Sequence, residues 1–258
     1  LVALVAICVT AGLRGAAADL PEMDGVPTAE AETVGMSSER LDRIDGVMQG
    51  YIDRDETAGV VTLVARQGKV VHFSAQGERD AESGSPMTHD SIFRIASMTK
   101  PIASVALMMM YEEGHFQLRD PISKWLPEFA DMRVAIPSPP QERVTGRYKP
   151  IPAEGPITVQ QILTHTAGLA NSYRGITQPE FLEMSAQTRP GDTVGDMLKR
   201  LAKLPLNFQP GEHWEYGRAT DIVGRLVEVM SGQTLDEFFK TRIFEPLDMT
   251  DTHFYLPE

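Results

Sequence analysis

Ser97 and Lys100 stand three residues apart at the head of an oily segment, IFRIASMTKPIASVALMMMYEEG, residues 92–114. On a helix, positions i and i+3 share one face, with a rise of about 4.5 Å between them. A lysine at the mouth of an apolar helix is partly stripped of water, which favours the neutral amine and makes it a candidate base. A serine beside such a base, with its own N–H near a helix start, is equipped as the nucleophile of an acyl transfer. The same serine is also suited to the commoner task of capping the helix. His165 suggests a Ser-His-Asp arrangement, yet Ser97 lacks the Gly-x-Ser-x-Gly elbow that would support one. The six histidines show no ligand spacing, so neither a metal nor another cofactor is expected.

The elements that must hold these groups read as an α+β fold. Ile92-Phe93-Arg94-Ile95 is strand-like, and the chain turns at Ala96-Ser97. The run that follows, from Ile102 to Met110, is apolar on every side, which predicts a helix buried in a domain. Upstream, Ser37-Ser38 precede Leu41, Ile44, Val47, Met48, Tyr51 and Ile52, the spacing of a one-sided helix. Residues 59–65 and 70–73 are β-rich and flank Gln67-Gly68, which predicts an antiparallel hairpin. Downstream, prolines from Pro121 to Pro156 interrupt the chain, and Trp125, Leu126 and Phe129 should pack that stretch onto the core. The prolines at 137, 139, 140, 150 and 152 should keep its later part irregular. Thr158 with Gln161, and Thr234 with Glu237, read as capping boxes. Helices are expected over 159–164, 193–204 and 221–231, with another opening after Thr234, and Thr252 to Tyr255 is β-like. The architecture predicted is an antiparallel sheet with helices on it plus a mainly helical part over 101–251, the active site lying between them.

With 258 residues the chain can bury a sizeable core. Its 36 acidic against 24 basic residues give a net charge of −12, which argues against a nucleic-acid surface. Residues 1–18 form an uncharged apolar run up to Arg14, closed by Gly15-Ala16-Ala17-Ala18. That pattern predicts part of a secretory signal cleaved after Ala18, with a membrane anchor as the alternative, and hence a periplasmic or secreted protein. The single cysteine, Cys8, lies in this run, so the mature chain is expected to have no disulfide. Residues 19–34 read as an aperiodic mobile leader and 35–258 as one domain.

Four stretches, in this order, resemble one family: Ser97-Met98-Thr99-Lys100; Ile162-Leu163-Thr164-His165-Thr166-Ala167-Gly168-Leu169; Gln209-Pro210-Gly211 before Trp214-Glu215-Tyr216; and Phe244-Glu245-Pro246-Leu247-Asp248-Met249-Thr250. They are similar to the serine β-lactamase-like superfamily, closest to family VIII carboxylesterases, class C β-lactamases and D-alanyl-D-alanine carboxypeptidases. The resemblance implies Ser97 as acylated nucleophile, Lys100 as the amine that keeps it activated, and Tyr216 as general base and then general acid. It implies a structural role for His165 and small ester, amide or β-lactam substrates. Tyr216 alternates with Trp214 like a strand face, so a plain half-buried aromatic stays open. Arg218 stands where the β-lactamases carry asparagine; it can meet a substrate carboxylate or pair with Glu215 or Asp221.

The family's third motif, Lys-Thr-Gly or an equivalent on an edge strand, has no match after Tyr216; Lys240-Thr241-Arg242 lacks the glycine and falls in a helical stretch. Both ends therefore read as truncated, and this segment alone is expected to be inactive and poorly folded. The complete protein is expected to be a carboxylesterase acting through an acyl-enzyme, with a β-lactamase or D-amino-acid peptidase as runner-up. A non-catalytic relative that binds cell-wall peptides or a protein partner is the alternative from another class.

Overall fold

The first helix begins where the Ser37 hydroxyl accepts the backbone N–H of Arg40, and α1 then runs over Ser38–Asp53. Such a cap satisfies a donor that a helix start leaves open. The computed structural model describes residues 20, 25–138 and 147–255, and divides the chain into two units, Leu1–Phe93 and Arg94–Glu258. The apolar run with Cys8 lies outside the described residues, as do 139–146. No helix among the described residues is long and apolar enough to cross a membrane.

In the first unit the hairpin forms as expected and is longer than its apolar runs. Strand β1 (Gly59–Arg66) pairs antiparallel with β2 (Lys69–Asp80), and β3 (Ser85–Pro86) adds a short edge to β2. Gln67 and Gly68 have φ of 53° and 71°, the two left-handed residues that a tight two-residue hairpin turn requires. Three expectations need correction here. The stretch read as an aperiodic leader ends in a 3-10 turn, Ala31–Val34, because Ala31 and Val34 join Leu41 and Val71 in this unit's core. On α1, Leu41 is buried but Val47 and Tyr51 are exposed. One-sided spacing tells which face is apolar, not how much of it is covered. Ile92 to Ile95 form no strand; a strand needs a partner's hydrogen bonds, and none reaches this stretch among the described residues.

The second unit is mainly helical: α2 (Thr99–Glu112), α3 (Val159–Leu163), α4 (Gln178–Ala186), α5 (Val194–Leu201), α6 (Ala219–Ser231) and α7 (Leu235–Phe239). Its largest helix pair is α2 on α6, where Ala103 and Ala106 give α2 a slim face and Leu107 and Met110 fill the interior. Pro101 falls in the first turn of α2, where its missing N–H costs no helical bond. The expectation of burial on every side is too strong, since Val105 is 52% exposed. Leu126 and Phe129 are buried and Trp125 packs beside them, as their types predict. The capping box at Thr158 is complete. The one at Thr234 is not made; Glu228 of α6 instead accepts the Leu235 N–H. Past α7 the chain continues as a π turn, Lys240–Phe244, and residues 252–255 bend rather than forming a strand. Helix α4 escapes sequence reading because Pro179 looks like a breaker, yet it occupies the first turn.

The proline-rich stretch also departs from expectation. Strands β4 (Arg133–Pro137) and β5 (Tyr148–Pro152) form an antiparallel ribbon. The outer bonds Ala153 N–H to Met132 O and Ser138 N–H to Arg147 O fix which pairs exchange hydrogen bonds. Counting inward, Pro137, Pro150 and Pro152 all fall on non-hydrogen-bonded pairs, where no donor is required. The far side of β4 is taken by Leu206, which donates to Arg133 O and accepts from the Ala135 N–H.

Candidate active site

Ser97, Lys100 and Tyr216 all belong to the second unit, and their polar atoms meet. Ser97 sits in a 3-10 turn, Ala96–Met98, that feeds directly into α2. Lys100 lies one turn on, and its Nζ donates to Ser97 Oγ at 3.0 Å and to the Tyr216 hydroxyl at 2.5 Å. Ser97 Oγ and the Tyr216 oxygen are 2.6 Å apart, closing the triangle. The capping alternative for Ser97 is not what the structure adopts: Met98 is the N-cap of α2, with no side-chain cap bond. The Lys100 and Ser97 hydrogen bonds hold the Tyr216 phenol below its ordinary pKa, against the opposing pull of burial and the Asp221 charge. Ala96, just before Ser97, has φ of 43°. A left-handed non-glycine residue costs on the order of 1 kcal/mol or more, and nothing in the local sequence announces it.

Tyr216 is carried by a loop that docks on the turn after α3. His165 has φ of 56°, its carbonyl accepts the Glu215 N–H, and its ring stacks on Tyr216 with centroids 5.3 Å apart. The Gly211 N–H reaches Thr166 O and the Asn207 N–H reaches Gly168 O, both at 2.7 Å. Gly168 (φ 78°) is required here, because a Cβ would lie 2.5 Å from the Phe208 carbonyl. His165 makes no hydrogen bond to Ser97 among the described residues, and its Nδ1 is buried without a partner. Burial first, and then the Lys100 charge, push the His165 pKa down.

That depression fixes a sign. Between the lowered folded value and the unfolded value of about 6.5, the unfolded chain binds more protons. His165 therefore contributes stability that is complete above about pH 6.5 and is lost as pH falls toward the folded value. In the full-length protein, the urea midpoint should drop less between pH 7.5 and 5.5 in His165→Asn than in wild type; asparagine tolerates the same backbone. Equal drops would remove His165 from the account.

Arg218 lies 3.8 Å from the Asp221 carboxylate and over the Phe181 ring. Of the two acidic partners expected for it, Asp221 is the one engaged. Glu215 pairs with Arg174 instead. Burial raises the Asp221 pKa, and the Arg218 charge partly offsets this. Two cavities adjoin the triangle. One of 190 Å³ is lined by Lys100, Tyr173, Tyr216, Arg218 and Asp221. One of 380 Å³ is lined by Ser97, Lys100, Ala103, Arg218, Gly224 and Phe254. Tyr173, which sequence reading missed, is 66% exposed and stands 5.7 Å from the Tyr216 ring. No cluster of three or more His, Cys, Asp or Glu side chains suited to a metal occurs among the described residues.

Residues 44–258 match the beta-lactamase family, and the chain belongs to it. The expected superfamily and its α+β fold are therefore established. Among its relatives, esterase EstB of Burkholderia gladioli is 32% identical over 220 residues, 84% of this chain and 52% of the relative. Lovastatin esterase of Penicillium rubens is 35% identical over 218 residues, 82% of this chain and 52% of the relative. The solved structure of EstCE1, described as a hydrolase with promiscuous acyltransferase activity, superposes with a TM-score of 0.68 at 29% identity, covering 81% of this chain and 52% of that one. The chain thus spans about half the length of the relatives it matches.

Proposed function

We propose that the full-length protein is a serine hydrolase that cleaves esters of small or medium acyl groups through an acyl-enzyme on Ser97. One observation carries the reading: a hydroxyl, an amine and a phenol hydrogen-bonded in a triangle at the foot of α2. Tyr216 takes the Ser97 proton as Oγ attacks the ester carbonyl, and Lys100 holds the charge that makes the phenolate accessible. The protonated Tyr216 then gives that proton to the departing alkoxide, leaving the acyl group on Ser97. Water reverses the sequence and frees the acid. Arg218, 3.8 Å from the Asp221 carboxylate, lines both cavities beside the triangle and is a group there able to meet a carboxylate on a substrate.

The esterase relatives support this choice of substrate class. The apolar run ahead of Arg14 supports export of the protein. An active-site serine probe such as a fluorophosphonate, applied to the full-length protein, should modify the peptide that carries Ser97. In the same preparation a 4-nitrophenyl butyrate should be hydrolysed faster than a chromogenic cephalosporin. Modification confined to another residue would sink the assignment.

A further inference from the structure

Glu215 lies between two aromatic residues in sequence, yet its side chain turns inward and is only 11% exposed. One carboxylate oxygen accepts Asn171 Nδ2 at 2.6 Å and Asn207 Nδ2 at 2.7 Å, and the other forms an ion pair with Arg174, 3.2 Å from its Nε. Each asparagine is engaged at its other end. Asn171, 1% exposed, accepts the backbone N–H groups of Tyr173 and Arg174. Asn207 accepts the N–H and the hydroxyl of the buried Thr177. One carboxylate thus ties together three loop segments, at 171–177, at 207 and at 215, that no helix or strand joins.

The next residue is Tyr216, whose oxygen must stay within hydrogen-bond reach of both Ser97 and Lys100. A functional group on a loop needs such support, because the loop backbone alone does not define its position within about 0.5 Å. We propose that Glu215 is the positioning residue for Tyr216, acting through Asn171 and Asn207; the role presupposes the hydrolase reading above. The group required is an acceptor with no hydrogen of its own toward the asparagines. Glutamine can keep its carbonyl there and present its NH2 to Arg174, which is 62% exposed and free to turn to water. Leucine would leave the buried Asn171 amide and the half-buried Asn207 amide without this acceptor.

The test compares two butyrate esters on full-length Glu215→Leu, Glu215→Gln and wild-type proteins. Both esters need Tyr216 as the base toward Ser97, but ethyl butyrate, with its poor alkoxide leaving group, also needs the Tyr216 proton back; 4-nitrophenyl butyrate hardly does. Misplacing the base slows both esters, and losing the general acid costs the ethyl ester about 10²-fold or more besides. In Glu215→Leu, kcat/KM, which reports acylation, should therefore fall about 100-fold further for ethyl butyrate than for 4-nitrophenyl butyrate. Glu215→Gln should stay within about 3-fold of wild type for either ester, since both amide bonds survive. Should Glu215→Leu not fold, Asn207→Ala removes one of the two amides and should show the same selective loss, smaller in size. Equal losses on both esters, or a change in KM alone, would overturn the positioning role. Serine-probe labelling of the same wild-type protein separates the two failures. Absent Ser97 labelling sinks the hydrolase reading, whereas labelling with an even loss sinks only the role of Glu215.

Discussion

Ser97→Ala in the full-length protein is expected to lower kcat/KM for ester hydrolysis by about 10⁴-fold or more, the scale seen when a covalent nucleophile is deleted. Ser97 Oγ is the only atom of the triangle able to carry the acyl group on an exposed, short side chain, so nothing nearby substitutes for it. Lys100 and Tyr216 keep their direct contact at 2.5 Å in its absence, so the local structure should survive. Alanine also suits the turn ahead of α2, and circular dichroism and thermal midpoint should match wild type. Retention of more than about 1% of the activity, with the fold intact, would show that the acyl group is carried elsewhere or that water attacks directly.

The second large effect falls on pH dependence. Removing the ammonium in Lys100→Met takes away the strongest hydrogen bond that lowers the Tyr216 pKa, so the phenol should climb back toward its ordinary value near ~10. Near neutrality, kcat/KM should drop about 10²–10⁴-fold, the worth of a correctly poised base. The ascending limb of the pH profile should move to higher pH, with part of the loss recovered in alkaline buffer. A uniform drop that leaves the limb where it was would mean that Lys100 does not act through Tyr216. The methionine chain keeps most of the lysine's bulk beside Ala103, so a packing defect is not the expected cause.

What could be read ahead of the coordinates follows from which residues act through local spacing. Ser97 and Lys100 are one helical turn apart, so their meeting needs only the helix that the apolar run predicts. Tyr216 is more than a hundred residues away, and only the resemblance in four motifs brought it to them. Glu215, Asn171 and Asn207 carry no such signal. Polar residues in loops have no period, and burial of a carboxylate between two amides depends on three segments converging. Ala96 is opaque for another reason, since its left-handed backbone is imposed by the turn rather than preferred by alanine. Among the elements, the one-sided spacing of α5 and α6 predicted both helices, and Gly232 (φ 74°) ends α6 where a glycine after Ser231 indicated. The ribbon of β4 and β5 is hidden in the sequence because a proline reads as a breaker until the side of the strand it occupies is known.

That ribbon has a consequence for solubility. The residues of β5 whose backbone groups face away from β4 are Tyr148, Pro150 and Pro152, and two of those three have no hydrogen to offer. The Pro150 carbonyl is already capped by the Arg133 guanidinium. A stray extended peptide, or the same segment of a second molecule, would therefore find one donor where a β-ladder asks for three. This border resists intermolecular stacking through its imino acids, without the row of lysines that other exposed strands use for the purpose.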